Sequence, residues 1–280
     1  LCFDRESFAQ HRFLVLYLPI IVFAATVALA MGIGIWVLVS IYLYWQWFHY
    51  TRQSWGIAQS YRRKSDVLMR EPKWFTMAAF YLLPVWGILH RSAQQPETFI
   101  GLELRVVPVP ALVADAVGVA ACIFLALWIA TRVKMWRDGR LVVAHTLYLA
   151  SHFVIFAVAY ILIEDITYGW LAINIWHNLQ YIVFTWLYNN RRFKDGVTAK
   201  AAFLSRLCQT RNWAYYVLCC FGISTTVYAG TEYLLTSVAA IAIPTMVIWQ
   251  TVNFHHYIVD GLIWKVRRKP MRQILGLGAN

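Results

Sequence analysis

The sequence predicts an all-α, polytopic integral membrane protein: a bundle of about eight transmembrane helices, both termini cytoplasmic, with residues 1–280 forming one transmembrane domain. Three observations predict it. Hydrophobic residues make up 60% of the chain and charged residues only 14%, against about half and about a quarter in a soluble domain. Residues 13–48 form one almost unbroken apolar run. As a helix this run would be about 54 Å long, and a hydrocarbon core is about 30 Å thick, so it must fold back on itself. Finally, lysine and arginine segregate to alternate loops, as the positive-inside rule requires of a correct set of spans.

Taken in order, Met31-Gly32-Ile33-Gly34 supplies the turn in the first run and gives spans at 13–30 and 34–62, the second closed by Arg62, Arg63 and Lys64. A third span covers 74–90, and the breakers Pro108 and Pro110 open a fourth, 108–131. Spans 141–163 and 166–188 are separated only by Glu164-Asp165, a solvated turn, and form a hairpin. The seventh span is 213–230. The eighth, 232–264, opens at Glu232, whose carboxylate complements the helix dipole, and kinks at Pro244, where apolar sequence resumes at once.

On this count one set of loops holds 22 of the 25 lysines and arginines; the opposite set holds only Arg91 and Arg105, and Arg52 lies within span two. Topology therefore explains the formal charge of +12, and no nucleic acid is implied. The basic loop 189–212 offers a docking face to an acidic electron donor on the cytoplasmic side. The five cysteines contain no CxxC pair and read as packing residues. A start at Leu1-Cys2, without an initiator Met or a signal-peptide pattern, leads us to expect that the chain begins inside a longer gene product.

The histidines share a depth. Counted from the cytoplasmic ends of their spans, His49, His152, His177, His255 and His256 all lie about 12–20 Å in, where ionisable groups are costly and tend to be functional. His145, seven residues before His152 on the same helix face, extends this layer toward the cytoplasm. His11 and His90 fall at interfaces. Each candidate ligand has a polar neighbour that could accept its second N–H: Gln53 after His49, Asn178, Gln180 and Tyr181 after His177, and Asp260 four residues after His256. The adjacent His255 and His256 point about 100° apart on a helix. Both can serve one site only if it is as large as a metal pair, or if one of them acts indirectly.

Imidazole-rich ligation with few carboxylates suits iron, copper or zinc. The expectation is an iron site of one or two ions, with His49, His145, His152, His177, His255, His256 and Asp260 as ligands and Gln53, Asn178, Gln180 and Tyr181 around the cofactor. The corresponding function is a non-haem metal oxidoreductase acting on a membrane lipid or other apolar substrate. In site type the pattern is similar to the histidine-rich membrane di-iron oxygenases, the fatty-acid desaturases and alkane or sterol hydroxylases. Their HxxxH and HxxHH boxes are absent here; the spacings are His145-x6-His152, His177-Asn-Leu-Gln180 and His255-His256-x3-Asp260. One alternative is a zinc-dependent membrane hydrolase, similar in logic to the seven-span ceramidase and adiponectin-receptor-like proteins. Another is a haem-b electron carrier or accessory subunit with axial histidine pairs. The reading without a ligand is an interhelical polar network.

Overall fold

A computed structural model describes residues 2–234, 237, 245–265 and 269–277. Helix α1 (Arg5–Gln10) leads through a π-helical turn (Phe13–Tyr17) into α2 (Leu18–Gly32), followed by α3 (Ile35–Arg62), α4 (Asp66–Arg70) and α5 (Lys73–Gln94). A short antiparallel pair, β1 (Thr98–Phe99) and β2 (Leu102–Glu103), precedes α6 (Ala111–Arg137). Then come α7 (Val143–Ala157) with a second π-helical turn (Val158–Leu162), α8 (Ile166–Arg192), α9 (Ala202–Leu207), α10 (Trp213–Tyr233), α11 (Thr245–Ile263) and α12 (Lys269–Leu275).

Most boundaries have a local cause. Gly34 has φ +126°, open only to glycine, and separates α2 from α3 at the expected place. Pro110 stands just before α6, where its fixed φ and missing N–H suit a helix start. The Glu164-Asp165 turn is more than solvated: Asp165 Oδ1 accepts from the backbone N–H of Thr167 (2.7 Å) and Tyr168 (3.0 Å) and so caps α8. One expected boundary is corrected. Glu232 does not open the last helix; α10 runs through it to Tyr233, and its Oε1 accepts from Thr245 Oγ1 at 3.0 Å. Gly230-Thr231 contains no proline, and a lone glycine costs a helix only about 1 kcal/mol. The Pro244 kink lies outside the described residues.

Among the described residues, three helical stretches are long and apolar enough to cross a membrane: Phe13–Gly32, Ala111–Arg137 and Val143–Leu162. Helices α3 and α8 are as long as α6, but both carry polar residues through their middles. Where the sequence reading has one domain, the structure has two compact units, 1–38 with 179–265 and 39–178 with 266–280.

In the first unit α2 packs on α11, with Thr26 Oγ1 and Thr251 Oγ1 hydrogen-bonded at 2.7 Å. The basic segment after α8 has its own small core, in which Phe193, Ala201, Cys208 and Tyr216 are buried. It is tied down by Asn190 donating to the Cys208 carbonyl (2.8 Å) and by an Arg192–Asp4 ion pair (2.5 Å). Burial alone would raise the Asp4 carboxyl. The hydrogen bonds from Ser7 and Arg192 outweigh it and hold the group below the usual range. All five cysteines are free thiols; Cys208 is buried as a packing residue should be, whereas Cys2 and Cys122 are exposed.

In the second unit α5 lies along α6 and against α7 with its π-turn. Small residues make this packing possible. A Cβ at Gly87 would stand 2.7 Å from the Tyr160 side chain, and one at Gly169 only 2.1 Å from the Ala159 carbonyl oxygen. Beside that contact the fully buried Arg91 donates to the carbonyls of Ala159 (3.0 Å), Ile163 and Glu164 (2.7 Å) and to Gln94 Oε1 (2.9 Å). Gly169→Ala would meet rigid backbone, and overpacking of this kind costs roughly 1–3 kcal/mol. We expect its thermal unfolding midpoint in detergent to fall by several degrees, while Gly222→Ala, with open space at its Cβ position, holds or rises. A Gly169→Ala midpoint equal to wild type would contradict this packing of α8.

Candidate functional site

Within the second unit, α3 buries a run of polar side chains: Gln46, His49, Tyr50, Thr51 and Ser54 are all less than a tenth exposed. Buried polar groups need partners. His49 faces His177 on α8, with ring centroids 5.1 Å apart and planes at 72°. Tyr50 stacks on the opposite ring system, its centroid 4.0 Å from that of His177 and the planes at 29°. Its hydroxyl donates to Asn174 Oδ1 at 2.7 Å, one turn before His177 on the same helix. Tyr50, anchored through its hydroxyl to Asn174, therefore packs against the ring of His177.

The separation of the two imidazoles can be tested against ligation. With a nitrogen about 2.1 Å from a metal, each ring centre lies about 3.2 Å away, and two rings at a tetrahedral angle stand about 5.2 Å apart. The observed 5.1 Å fits one ion shared by two histidines. Two axial ligands on opposite faces of a haem would stand about 6.4 Å apart by the same reasoning, so the pair fits a haem poorly.

In the first unit α11 carries a second polar group. Asp260 is buried, with Oδ2 3.6 Å from His256 Nε2 one turn earlier, and its Oδ1 accepts from the Tyr181 hydroxyl at 3.2 Å. The Tyr181 ring meets His256 edge-on at 5.2 Å, and Trp264 Nε1 donates to the Tyr181 oxygen at 3.4 Å. The i, i+4 spacing thus brings carboxylate and imidazole near each other without a hydrogen bond between these two atoms, and Tyr181 touches both groups.

The remaining histidines have other surroundings. His255, beside His256, turns to the π-turn before α2, where the Leu14 carbonyl accepts from its Nε2 at 2.8 Å. It acts as a helix-to-helix hydrogen bond, so the adjacent pair does not act as one. His152 is fully buried and stacks on Phe80 at 3.8 Å. Its Nε2 donates to the Phe80 carbonyl (3.3 Å), leaving Nδ1 to accept from Ser54 Oγ (3.0 Å), so neither nitrogen keeps a lone pair for a metal. His145 is buried with Arg132 and Arg62 as its charged neighbours, a setting that repels a cation. Asn178 is exposed, since the residue next to His177 points about 100° away, whereas Gln53 and Gln180 are half-buried. Tyr50 and Asn174 were missed by looking only along the chain after each histidine. Asn174 stands three residues before His177, and that spacing was the available signal.

His152→Ala should lower the thermal stability by roughly 3 kcal/mol or more, by removing a packed ring and the donor to the Phe80 carbonyl, which Pro84 leaves without a helical partner, yet leave the metal content of the purified protein unchanged. A drop in bound metal would return His152 to the ligand set. No protein-family model matches this chain, and neither the curated proteins nor the solved structures contain a detectable match to it.

Proposed function

We propose that the chain is an eight-span membrane metalloprotein with both termini in the cytoplasm, in which His49 and His177 ligate iron for oxidative chemistry on a lipid or other apolar substrate. The observation that carries this reading is the buried imidazole pair at 5.1 Å, with one ring packed against Tyr50, whose hydroxyl is anchored by Asn174. Such positioning serves ligation, because a metal site requires ring orientation to be fixed before the ion arrives. The span count rests on the length of the 13–48 run and on the segregation of basic residues between alternate loops.

The depth reading of the sequence adds His256 as a third ligand, and Asp260 supports it by orienting that imidazole or supplying a carboxylate oxygen. A 2-His or 3-His set with one acid suits iron with open positions, and iron in such a set supplies oxygen-activating chemistry. The protein's own contribution is to hold the rings, to keep the surroundings apolar and to admit substrate from the bilayer. One ion is favoured over two, because His152 and His255 each commit ring nitrogens to protein partners. The basic segment 189–212 is the proposed docking face for an electron donor.

Metal analysis of the purified full chain tests this. Wild type should carry iron in stoichiometric amount, His49→Ala and His177→Ala should lose most of it, and Asp260→Asn should bind it about 10–100-fold more weakly. Zinc in place of iron would move the assignment to the hydrolase alternative, and a Soret band would move it to haem. A protein without any transition metal, or histidine variants with undiminished content, would leave the pair as an interhelical polar contact.

A further inference from the structure

The second unit contains a buried cationic cluster that the metal reading does not use. Arg62 at the end of α3, Arg132 near the end of α6 and His145 at the start of α7 are 6%, 5% and 1% exposed. Two guanidiniums share one acid. Arg132 Nη2 pairs with Glu71 Oε1, while Arg62 donates to the Glu71 backbone carbonyl and, at 3.3 Å, to Thr76 Oγ1. Three groups are left over. Arg132 Nη1, both ring nitrogens of His145 and Glu71 Oε2 are buried without a protein partner. A buried polar atom without a partner costs a substantial part of its desolvation free energy, most of all when charged, and four unpartnered atoms in one neighbourhood describe the complement of a ligand.

The complement must be an anion, since the cluster has two guanidiniums and one carboxylate. It must offer acceptor oxygens to Arg132 Nη1 and to an imidazole N–H. It must also offer one O–H, because Glu71 Oε2 can only accept. Sulfate has the oxygens but no proton to donate at neutral pH, and a simple carboxylate lacks the third group. A phosphate bearing a proton has both. We infer that Arg62, Arg132, His145 and Glu71 form a buried site for a phosphate monoester or hydrogen phosphate, at the end of the second unit where α3 and α6 finish and α7 begins. Planar guanidinium forks are suited to this ligand. The same chemistry is presented by the headgroup of phosphatidic acid and by free inorganic phosphate, and the basic loops at this end would concentrate either. This site does not depend on the metal reading, and neither stands or falls with the other.

The test uses the full chain purified in detergent and its thermal unfolding midpoint. One arm compares inorganic phosphate with sulfate and with chloride at matched ionic strength. A second compares mixed micelles containing phosphatidic acid with micelles containing phosphatidylcholine. Two variants accompany wild type: His145→Gln, and the double change Arg132→Gln with Glu71→Gln, which keeps a hydrogen-bonded pair and leaves the net charge of the cluster unchanged. Wild type should be stabilised by several degrees by phosphate, by phosphatidic acid or by both. Each variant should need about tenfold more ligand for the same shift, the loss of one charge-assisted hydrogen bond. Stabilisation by phosphate alone assigns a soluble ligand, and by phosphatidic acid alone a lipid headgroup. If neither stabilises, if sulfate does so equally, or if the variants respond as wild type does, the site does not exist as described.

Discussion

Arg91 holds together the part of the second unit on which the imidazole pair depends. Its side chain is fully buried, and its two terminal nitrogens collect the carbonyls of Ala159, Ile163 and Glu164. Those carbonyls are open because α7 ends in a π-turn and cannot bond them within the helix. A neutral side chain could satisfy one or two of them, whereas a guanidinium satisfies three and fixes their directions. The end of α7 and the capped start of α8 at Asp165 are thereby set relative to α5, and Gly169 lets α8 lie against the Ala159 carbonyl. Asn174 and His177 follow on that same straight helix. The position of His177 against His49 thus depends on backbone satisfaction at the hairpin.

The helices were legible in the sequence because their signals are local and redundant. Gly34 needs its positive φ, Pro110 suits a first turn, and the apolar runs on either side have no competing pattern. The Glu232 boundary failed for the converse reason: no residue there stops a helix, and a count of spans supplied a break that the backbone chemistry does not. The candidate site was legible in one coordinate only. Rise per residue gives depth along a helix, and depth put five histidines in one layer. Which way each ring points around its helix is set by packing. His152 has the expected depth but turns to Phe80 and Ser54, and Asn178 turns outward while Asn174, a turn earlier, reaches Tyr50.

Apolarity and chemistry compete along these helices. The three stretches apolar enough to span a membrane, in α2, α6 and α7 with their π-turns, include none of the residues around His49 and His177. Helices α3 and α8, which do, carry Gln46, His49, Gln53, Asn174, His177 and Gln180 within their lengths. Polar side chains on such a helix are tolerable where they turn inward, and on α3 Gln46, His49, Thr51 and Ser54 are all buried. Mean apolarity therefore picks out α2, α6 and α7 and underrates the two helices whose histidines meet.

One residue type takes five roles here, and its neighbours decide which. Beside two guanidiniums His145 cannot favour a cation, and its one N–H is suited to donate to an anion. Against a backbone carbonyl His255 donates and holds two helices together. Between a ring, a hydroxyl and a carbonyl His152 is part of the core. His256 lies near a carboxylate, its Nε2 3.6 Å from Asp260 Oδ2. His49 and His177 meet ring to ring, with Tyr50 stacked on the second ring and anchored to Asn174. The number of histidines at a given depth therefore overstates the number of ligands, because depth alone leaves undetermined whether the adjacent group is a cation, a carbonyl or another imidazole. That adjacent group decides whether a lone pair is available to a metal.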